Sequence, residues 1–578
     1  MVATVSPQGL VTGRRRGNAT ITATAGGKGG TAQLDVMLPA AQIEVLPNID
    51  TLFTGDSTLW FISAVDSLGE AVFTRYVTWT VIDPAIVESR PIGADIWLKG
   101  KSVGVTWIKA TVGGASDSAR IWVRNRVGSV AITPDTATIL VADTLRLGAI
   151  IRDTAGTLLT DRRVRWEVLR GSALIDSTGL LRALAGGTAT IEARSETKAD
   201  TAHFFFRVAG KFTLVTAGDL HTCGLTSVGA TYCWGSGWYG QLGIGGGVEG
   251  NALGPALVIG AAVFSHVSGG YLHNCAVTST GQAQCWGLDS YGALGNSSGV
   301  EPCTYGDLCR GTPLATTGAI TFVRVSAGDR YTCGIDGSGT AYCWGANTLG
   351  ELGIGSIDQN SHAAPEQVAG ALSFDAITTG GGQTCALSSD RAYCWGYNAQ
   401  GQLGLGVVGG THTAPDSLAG GHRFLALTAG RYHTCGIATD STAYCWGVND
   451  TGQLGTGSTG AAASSPVAVT TGLKFVALAA GADHTCGIAT DSLSYCWGAN
   501  SGGQLGDGTT SAHYTPMPAS GGLKFSVITA NRNFTCGVTT SSAAYCWGGN
   551  GSGGGGDGRL GTDPQTPTTT PGRVLGQP

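Results

Sequence analysis

The chain has 578 residues, of which 42% are hydrophobic and 13% charged, with 94 glycines, 16 cysteines and a formal net charge of −5. That length exceeds what one core serves, so several domains are expected, and the apolar content excludes global disorder. No apolar run approaches the roughly 18 residues of a membrane span, and no long amphipathic helical period occurs. What remains is many short strands joined by tight Gly-, Ser- and Asp-rich turns. The charge is uneven: residues 211–578 hold 12 Lys/Arg against 20 Asp/Glu, and residues 1–210 hold 22 against 19. The acidic part lacks the clustered cations that phosphate contacts need, so no nucleic-acid partner is expected. The Arg14-Arg15-Arg16 run is too short to alter this and reads as a solvated turn.

Taken in chain order, residues 41–123 and 128–208 read as alternating short strands with turns. Thr133-Pro134-Asp135 opens a strand, Trp166 sits midway and Gly186-Gly187-Thr188-Ala189-Thr190-Ile191 lies near the end. Shifting the sequence by 170 places Gly17-Asn18-Ala19-Thr20-Ile21 on Gly187-Thr188-Ala189-Thr190-Ile191, and Gly9-Leu10-Val11 on Gly179-Leu180-Leu181. These segments resemble bacterial group 2 immunoglobulin-like domains, which implies small β-sandwiches of surface and secreted proteins. By the same shift Met1 falls inside a domain. Residues 1–38 are therefore expected to be a partial, poorly packed sandwich of an N-terminally truncated chain, whose missing part would hold a signal peptide.

From residue 211 the sequence repeats. A Cys-Trp-Gly triplet recurs at Trp234, Trp286, Trp344, Trp395, Trp446, Trp497 and Trp547, in steps of 52, 58, 51, 51, 51 and 50 residues. Eleven residues before the first cysteine of each unit stands a phenylalanine: Phe212, Phe264, Phe322, Phe374, Phe424, Phe475 and Phe525. A Gly-x-Leu-Gly follows each tryptophan, from Gly240-Gln241-Leu242-Gly243 to Gly558-Arg559-Leu560-Gly561. The paired cysteines flank turn residues, which predicts β-hairpins with the thiols facing across them. The expected bridges are Cys223–Cys233, Cys275–Cys285, Cys333–Cys343, Cys385–Cys394, Cys435–Cys445, Cys486–Cys496 and Cys536–Cys546, with Cys303–Cys309 as an eighth in a loop. Structural zinc wants cysteines two to four residues apart in groups of four, which these are not. Sixteen cysteines in a regular frame imply an oxidising compartment.

The unit from Ala217-Gly218-Asp219-Leu220-His221-Thr222-Cys223 through Gly240-Gln241-Leu242-Gly243, with its six copies, resembles the regulator-of-chromosome-condensation repeat family. The resemblance covers residues 211–578 and implies an all-β, seven-bladed β-propeller behind N-terminal immunoglobulin-like β-sandwich domains. The Pro-containing segment Thr570-Pro571-Gly572-Arg573-Val574 has no phenylalanine after it, and Phe212 has no such segment before it. The C-terminus is therefore expected to complete the first blade and close the ring.

Motifs that could carry chemistry are weak. Gly404–Gly409 and Gly455–Gly460 fit a dinucleotide fingerprint but lack the helix whose N-terminus meets the phosphates. Gly295-Asn296-Ser297-Ser298-Gly299 fits a nucleophile elbow only in letters. Gly553–Asp557 resembles a single calcium nonapeptide. His221, His273, His433 and His484 share their repeat position with Tyr331, Gln383 and Phe534, which marks it as a packing position. Asn347, Asn398, Asn449, Asn500 and Asn550 suit turns. The insertion from Glu301 to Arg310, with Tyr305 and Asp307, is the candidate contact loop.

The sequence therefore points to a non-catalytic, secreted or cell-surface binding protein. Its monomeric propeller would engage a protein or glycan through its loops, without cofactor or metal, with the sandwiches as a stalk. The other readings are a structural adhesin or envelope component, and, by family analogy alone, a guanine-nucleotide-exchange regulator.

Overall fold

A computed structural model describes all residues except 73–75, 246–249, 261, 297, 304–305, 552–555 and 564–566. Tyr305, Ser297 and part of Gly553–Asp557 lie outside the described residues. The fold is all-β: the described residues hold no α-helix, and a single 3-10 turn occupies Ser290–Gly292. Residues divide into two units, one of 1–131, 149–164 and 194–200, the other of 132–148, 165–193 and 201–578.

In the first unit, strands Gly17–Ala25 and Lys28–Val36 form a hairpin, and no described residue before Ala40 is buried. Arg16 reaches Asp66 at 3.2 Å. Residues 42–124 form a sandwich of two four-stranded sheets. Alternation along each strand sends Val45, Trp60, Ile96, Leu98, Ile108, Ile121 and Val123 into one shared core.

In the second unit, Thr136–Leu140 pairs in parallel with residues 203–207, and seven consecutive antiparallel sheets follow. Each sheet is a meander. The first runs Phe212–Ala217, His221–Thr226, Thr231–Gly235 and Ala252–Leu257. The last runs Phe525–Asn531, Phe534–Thr539, Ala544–Gly548 and Thr568–Arg573. The second sheet gains a fifth strand, Glu301–Pro302, from its insertion.

All seven hairpin disulfides are present, each between directly opposed residues with Cα atoms 4.0 to 4.1 Å apart. Their fourteen sulfurs are fully buried. The eighth pairing is corrected: Cys303 and Cys309 are free thiols. Glu301 stands opposite Cys309, and Cys303 N–H donates to the Asp307 carbonyl at 2.8 Å, so these two cysteines sit diagonally across their hairpin. Burial holds both thiols above the usual range.

The expected closure by the C-terminus is also corrected. Thr568–Arg573 pairs with the tryptophan strand of its own sheet, Tyr545 opposite Arg573 and Gly548 opposite Thr568, so it completes the seventh blade. Neighbour-to-neighbour meander pairing is local and needs no exchange of a strand. The residues beyond it turn back on the segment that enters the propeller, where Val208 N–H donates to the Gly576 carbonyl at 2.8 Å.

Between blades the repeated motifs act as clasps. Each phenylalanine ring centre lies 5.7 to 6.0 Å from the tryptophan of its blade. Both pack against the disulfide and the Gly-x-Leu-Gly leucine of the preceding blade, as Phe374 and Trp395 do against Cys333, Cys343 and Leu352. The carbonyl of the motif's second residue accepts from the next blade. Trp395 Nε1 and Thr384 Oγ1 donate to Glu351 O at 3.1 and 2.9 Å, and Trp446 Nε1 and Thr434 Oγ1 to Gln402 O at 3.0 and 2.9 Å. The ring is closed by the same bond: Thr222 Oγ1 of the first blade donates to Arg559 O of the seventh at 2.8 Å. The motif's last glycine is required because a Cβ there would strike the next indole, at 2.5 Å from Trp395 Nε1 for Gly353.

Candidate functional site

The innermost strands line a central cavity of about 370 Å³. Among its lining residues is the one four places after the phenylalanine in six of the seven blades, the fourth blade presenting Thr379 in place of Thr378. Thr216, Ser268, Ser326, Thr378, Thr428 and Thr529 each accept, at 2.9 to 3.3 Å, from a backbone N–H of the next blade. In the sixth blade Ala479 stands at this place. These hydroxyls hold the blades together and leave little chemistry on the wall.

The four repeated histidines are structural. His273, His433 and His484 bring Nε2 to 2.9 Å from the hydroxyls of Thr332, Thr485 and Thr535 of the next blade, and His221 does so with Asn274 Oδ1. All four are buried, and burial brings their pKa values down to about 4 for His221 and His433 and about 3 for His273 and His484. Their rings lie over a glycine of the same blade, where a Cβ at Gly430 would stand 2.7 Å from His433 Cε1. The repeated asparagines clip loops: Asn398 Oδ1 accepts from Leu403 N at 3.1 Å, and its Nδ2 donates to Val407 O at 3.1 Å. The Gly404–Gly409 and Gly455–Gly460 segments lie in those same inter-strand connections.

Glu351 stands where four other blades carry glutamine, and its Oε2 accepts from Leu349 N–H. Burial pushes this carboxyl up to about 7. The folded state therefore holds a proton that the unfolded chain has released above about 4.5, and the advantage is lost as pH rises to 7. Glu351→Gln is expected to leave stability unchanged at pH 4 and to raise it by about 3 kcal/mol at pH 8. Urea midpoints at the two pH values check this.

Variation between blades is wide at two adjacent repeat positions, and the one bordering the cavity lies four residues before the first cysteine. There the chain carries Asp219, Tyr271, Asp329, Gly381, Arg431, Ala482 and Arg532 in turn. These residues border the central cavity at the turn between the first and second strands. Arg532 Nη1 bridges the seventh blade to Asp219 of the first at 2.7 Å, with the aspartate nearly buried and the arginine half exposed. Asp329 makes no hydrogen bond or ion pair among the described residues. Burial pushes its carboxyl to about 6, against the attraction of Arg431. Sequence reasoning passed over this ring. The signal was available in the seven copies themselves: a position that takes Asp, Tyr, Gly, Arg and Ala in turn is not chosen by packing.

In a meander the third-to-fourth connection leaves from the same end as the first-to-second turn. The second-blade insertion thus shares its end of the propeller with the charged ring. Glu301 and Asp307 are exposed there, whereas Arg310 is tied down, its Nε donating to Thr312 Oγ1 at 3.1 Å and its guanidinium to Gly299 O.

Residues 267–576, more than half of the chain, match the model of the RCC1-like domain. The chain belongs to the RCC1-like domain family. Residues 126–204 match the bacterial Ig-like domain (group 2). Relatives of the RCC1-like part include the E3 ubiquitin-protein ligase HERC2 of Mus musculus, 31% identical over 296 residues, which are 50% of this chain and 6% of that protein. Another is the ultraviolet-B receptor UVR8 of Arabidopsis thaliana, 28% identical over 51% of this chain and 66% of the receptor. The chain thus spans under two thirds of either relative. Yeast RCC1 (Prp20), solved bound to Kap60, superposes with a TM-score of 0.52 at 22% identity, over 59% of this chain and 83% of that one.

Proposed function

We propose that this protein is a non-catalytic binding protein of an oxidising, extracellular or cell-surface compartment, and that its propeller takes a protein or glycan partner at the end carrying the charged ring. The carrying observation is that ring: Asp219, Tyr271, Asp329, Arg431 and Arg532 occupy a repeat position that differs from blade to blade, around a cavity mouth at the same end of the propeller as the Glu301–Arg310 insertion. A scaffold with fourteen buried disulfide sulfurs supports the compartment and the rigidity of the display. Half-buried Asp329 supports recognition of a cationic group, since pairing would relieve an unpartnered carboxyl.

The experiment is capture of secreted proteins and glycans on the immobilised full chain. A saturable partner is expected, lost in Asp329→Asn with Arg431→Gln and kept in Arg391→Gln, a change in a hairpin turn at the opposite end. A partner held equally by all three, or no saturable partner on a folded chain, would favour the structural adhesin instead.

A further inference from the structure

The outer face of one sheet of the 42–124 sandwich has a composition that folding does not explain. Its strands are Ile49–Phe53, Ala115–Arg124, Gly104–Val112 and Thr78–Val81, in the order first, second, third, fourth. Inward positions alternate with the core, so the outward ones are Ile49, Thr51 and Phe53; Ser116, Ser118, Arg120, Trp122 and Arg124; Val105, Trp107, Lys109 and Thr111; Thr78 and Thr80. Trp107 faces Arg120 across the ladder, and Trp122 faces Val105. The Arg120 guanidinium lies 4.0 Å from the centre of the Trp122 ring and 5.8 Å from that of Trp107. Trp107 is 46% exposed and Val105 45%.

Every charge at these outward positions is positive, and every other polar group is a hydroxyl. No carboxylate stands among them; Asp161, from outside the sheet, reaches Arg124 at 3.7 Å. The opposite outer face of the same sandwich shows that this is not a general property of the domain. That face also carries aromatic and apolar residues, Leu59, Phe61 and Trp97, the last with the Arg90 guanidinium 5.6 Å from its ring centre, but its outward strand positions include the carboxylates Glu44, Glu88 and Asp95.

We propose that the Trp107–Arg120–Trp122 face binds an acidic polysaccharide of the uronic-acid class. Exposed indoles offer flat apolar surface to the C–H faces of sugar rings. The guanidinium between them matches a carboxylate bidentately, and the two rings hold it in place at little entropic cost. Hydroxyls and cations alone suit a ligand rich in acceptors. A protein partner would meet a face without the mixed-charge rim that protein interfaces carry. Three cations on a flat sheet also fall short of the clustered contacts a nucleic acid needs. This face uses none of the propeller's residues, so either assignment can fail without the other.

The test is native affinity electrophoresis of the full chain in gels containing polygalacturonate, dextran or neither, with single-stranded DNA as competitor. Retardation by polygalacturonate alone is expected, weakened by salt. Trp107→Ala combined with Arg120→Gln should weaken it about tenfold or more, equivalent to about 1.4 kcal/mol. Thr51→Glu, an exposed position next to Trp122, should do the same without removing any packing. Phe61→Ala on the opposite face should leave it unchanged. No retardation, equal retardation in dextran, full competition by DNA, or wild-type retardation of both face variants would overturn the proposal.

Discussion

Full reduction of the seven hairpin disulfides is expected to abolish cooperative folding of the propeller. Each bridge closes a loop of about ten residues, worth roughly 3 kcal/mol on the chain-entropy account, and seven together reach about 20 kcal/mol. That exceeds the roughly 5–15 kcal/mol by which a folded domain outweighs its unfolded chain. The bridges sit in the blade cores, against Phe–Trp pairs, so their loss also leaves thiols to be packed where the sulfurs were bonded. Because the sulfurs are fully buried, reductant should act slowly on the native chain and quickly once denaturant opens it. The measurement is near-ultraviolet circular dichroism and thermal melting after unfolding in reductant and refolding with thiols blocked. A blocked chain that melts cooperatively at the temperature of the oxidised one would refute the expectation. Single removal, as in Cys435→Ala with Cys445→Ala, should cost about 3 kcal/mol in urea titration.

Acid is the second large lever. At pH 8 the imidazoles of His221, His273, His433 and His484 are neutral in the folded and unfolded chain alike. Below about 6.5 the unfolded chain takes up protons that the folded one refuses until about pH 3 to 4. Stability therefore falls as pH drops from 6.5 to about 4, by roughly 3 kcal/mol for each histidine. Asp289, Asp329 and Glu351 act in the opposite sense, since burial raises them to about 6, 6 and 7 and the folded state gains their protons first. His266, also brought down to about 4 by burial, joins these four, and burial raises Asp219 and Asp483 as well; the imidazoles carry the larger displacements, so the net change is destabilising. Urea midpoints from pH 8 to pH 4 should decline across this window, and a flat profile would refute the reading. His433→Gln should flatten it in part. Glutamine already fills this place in the fourth blade, where Gln383 Nε2 donates to Gly430 O at 2.9 Å.

The repeat made much of this legible in one sequence, because seven copies act as an internal comparison. The spacing of Phe, Cys and Trp placed the hairpins and the seven bridges, and the substitution of Tyr, Gln and Phe at the histidine position correctly marked it as packing. The same comparison, carried one step further, would have exposed the ring of Asp219, Tyr271, Asp329, Arg431 and Arg532. The repeat pattern does not carry it, because its residues differ from blade to blade whereas the pattern rests on residues that recur.

The two corrections share a cause. Spacing measures distance along the chain, whereas a bridge or a closed ring depends on register across it. Cys303 and Cys309 sit diagonally across their hairpin, Glu301 standing opposite Cys309, and meet as two thiols in a hydrogen bond rather than as a directly opposed pair. The final Pro-containing segment has the phase of a strand preceding Phe212, yet its partner is the adjacent tryptophan strand of its own blade.

What the amino-acid sequence determined by itself was therefore what has a period: the all-β class, the hairpins and the seven staples, while the propeller and sandwich folds were implied by the family resemblances those periods carry. Periodic pattern follows from local backbone geometry, which each unit satisfies alone. Only the tertiary structure decided what arises between units. It showed the Gly-x-Leu-Gly carbonyl as the acceptor that locks one blade to the next, and Thr222 closing the ring on Arg559. It also gathered single, non-repeating residues from distant blades at one cavity mouth. Such contacts join atoms separated by fifty or three hundred residues, and no pattern along the chain encodes which of them will meet.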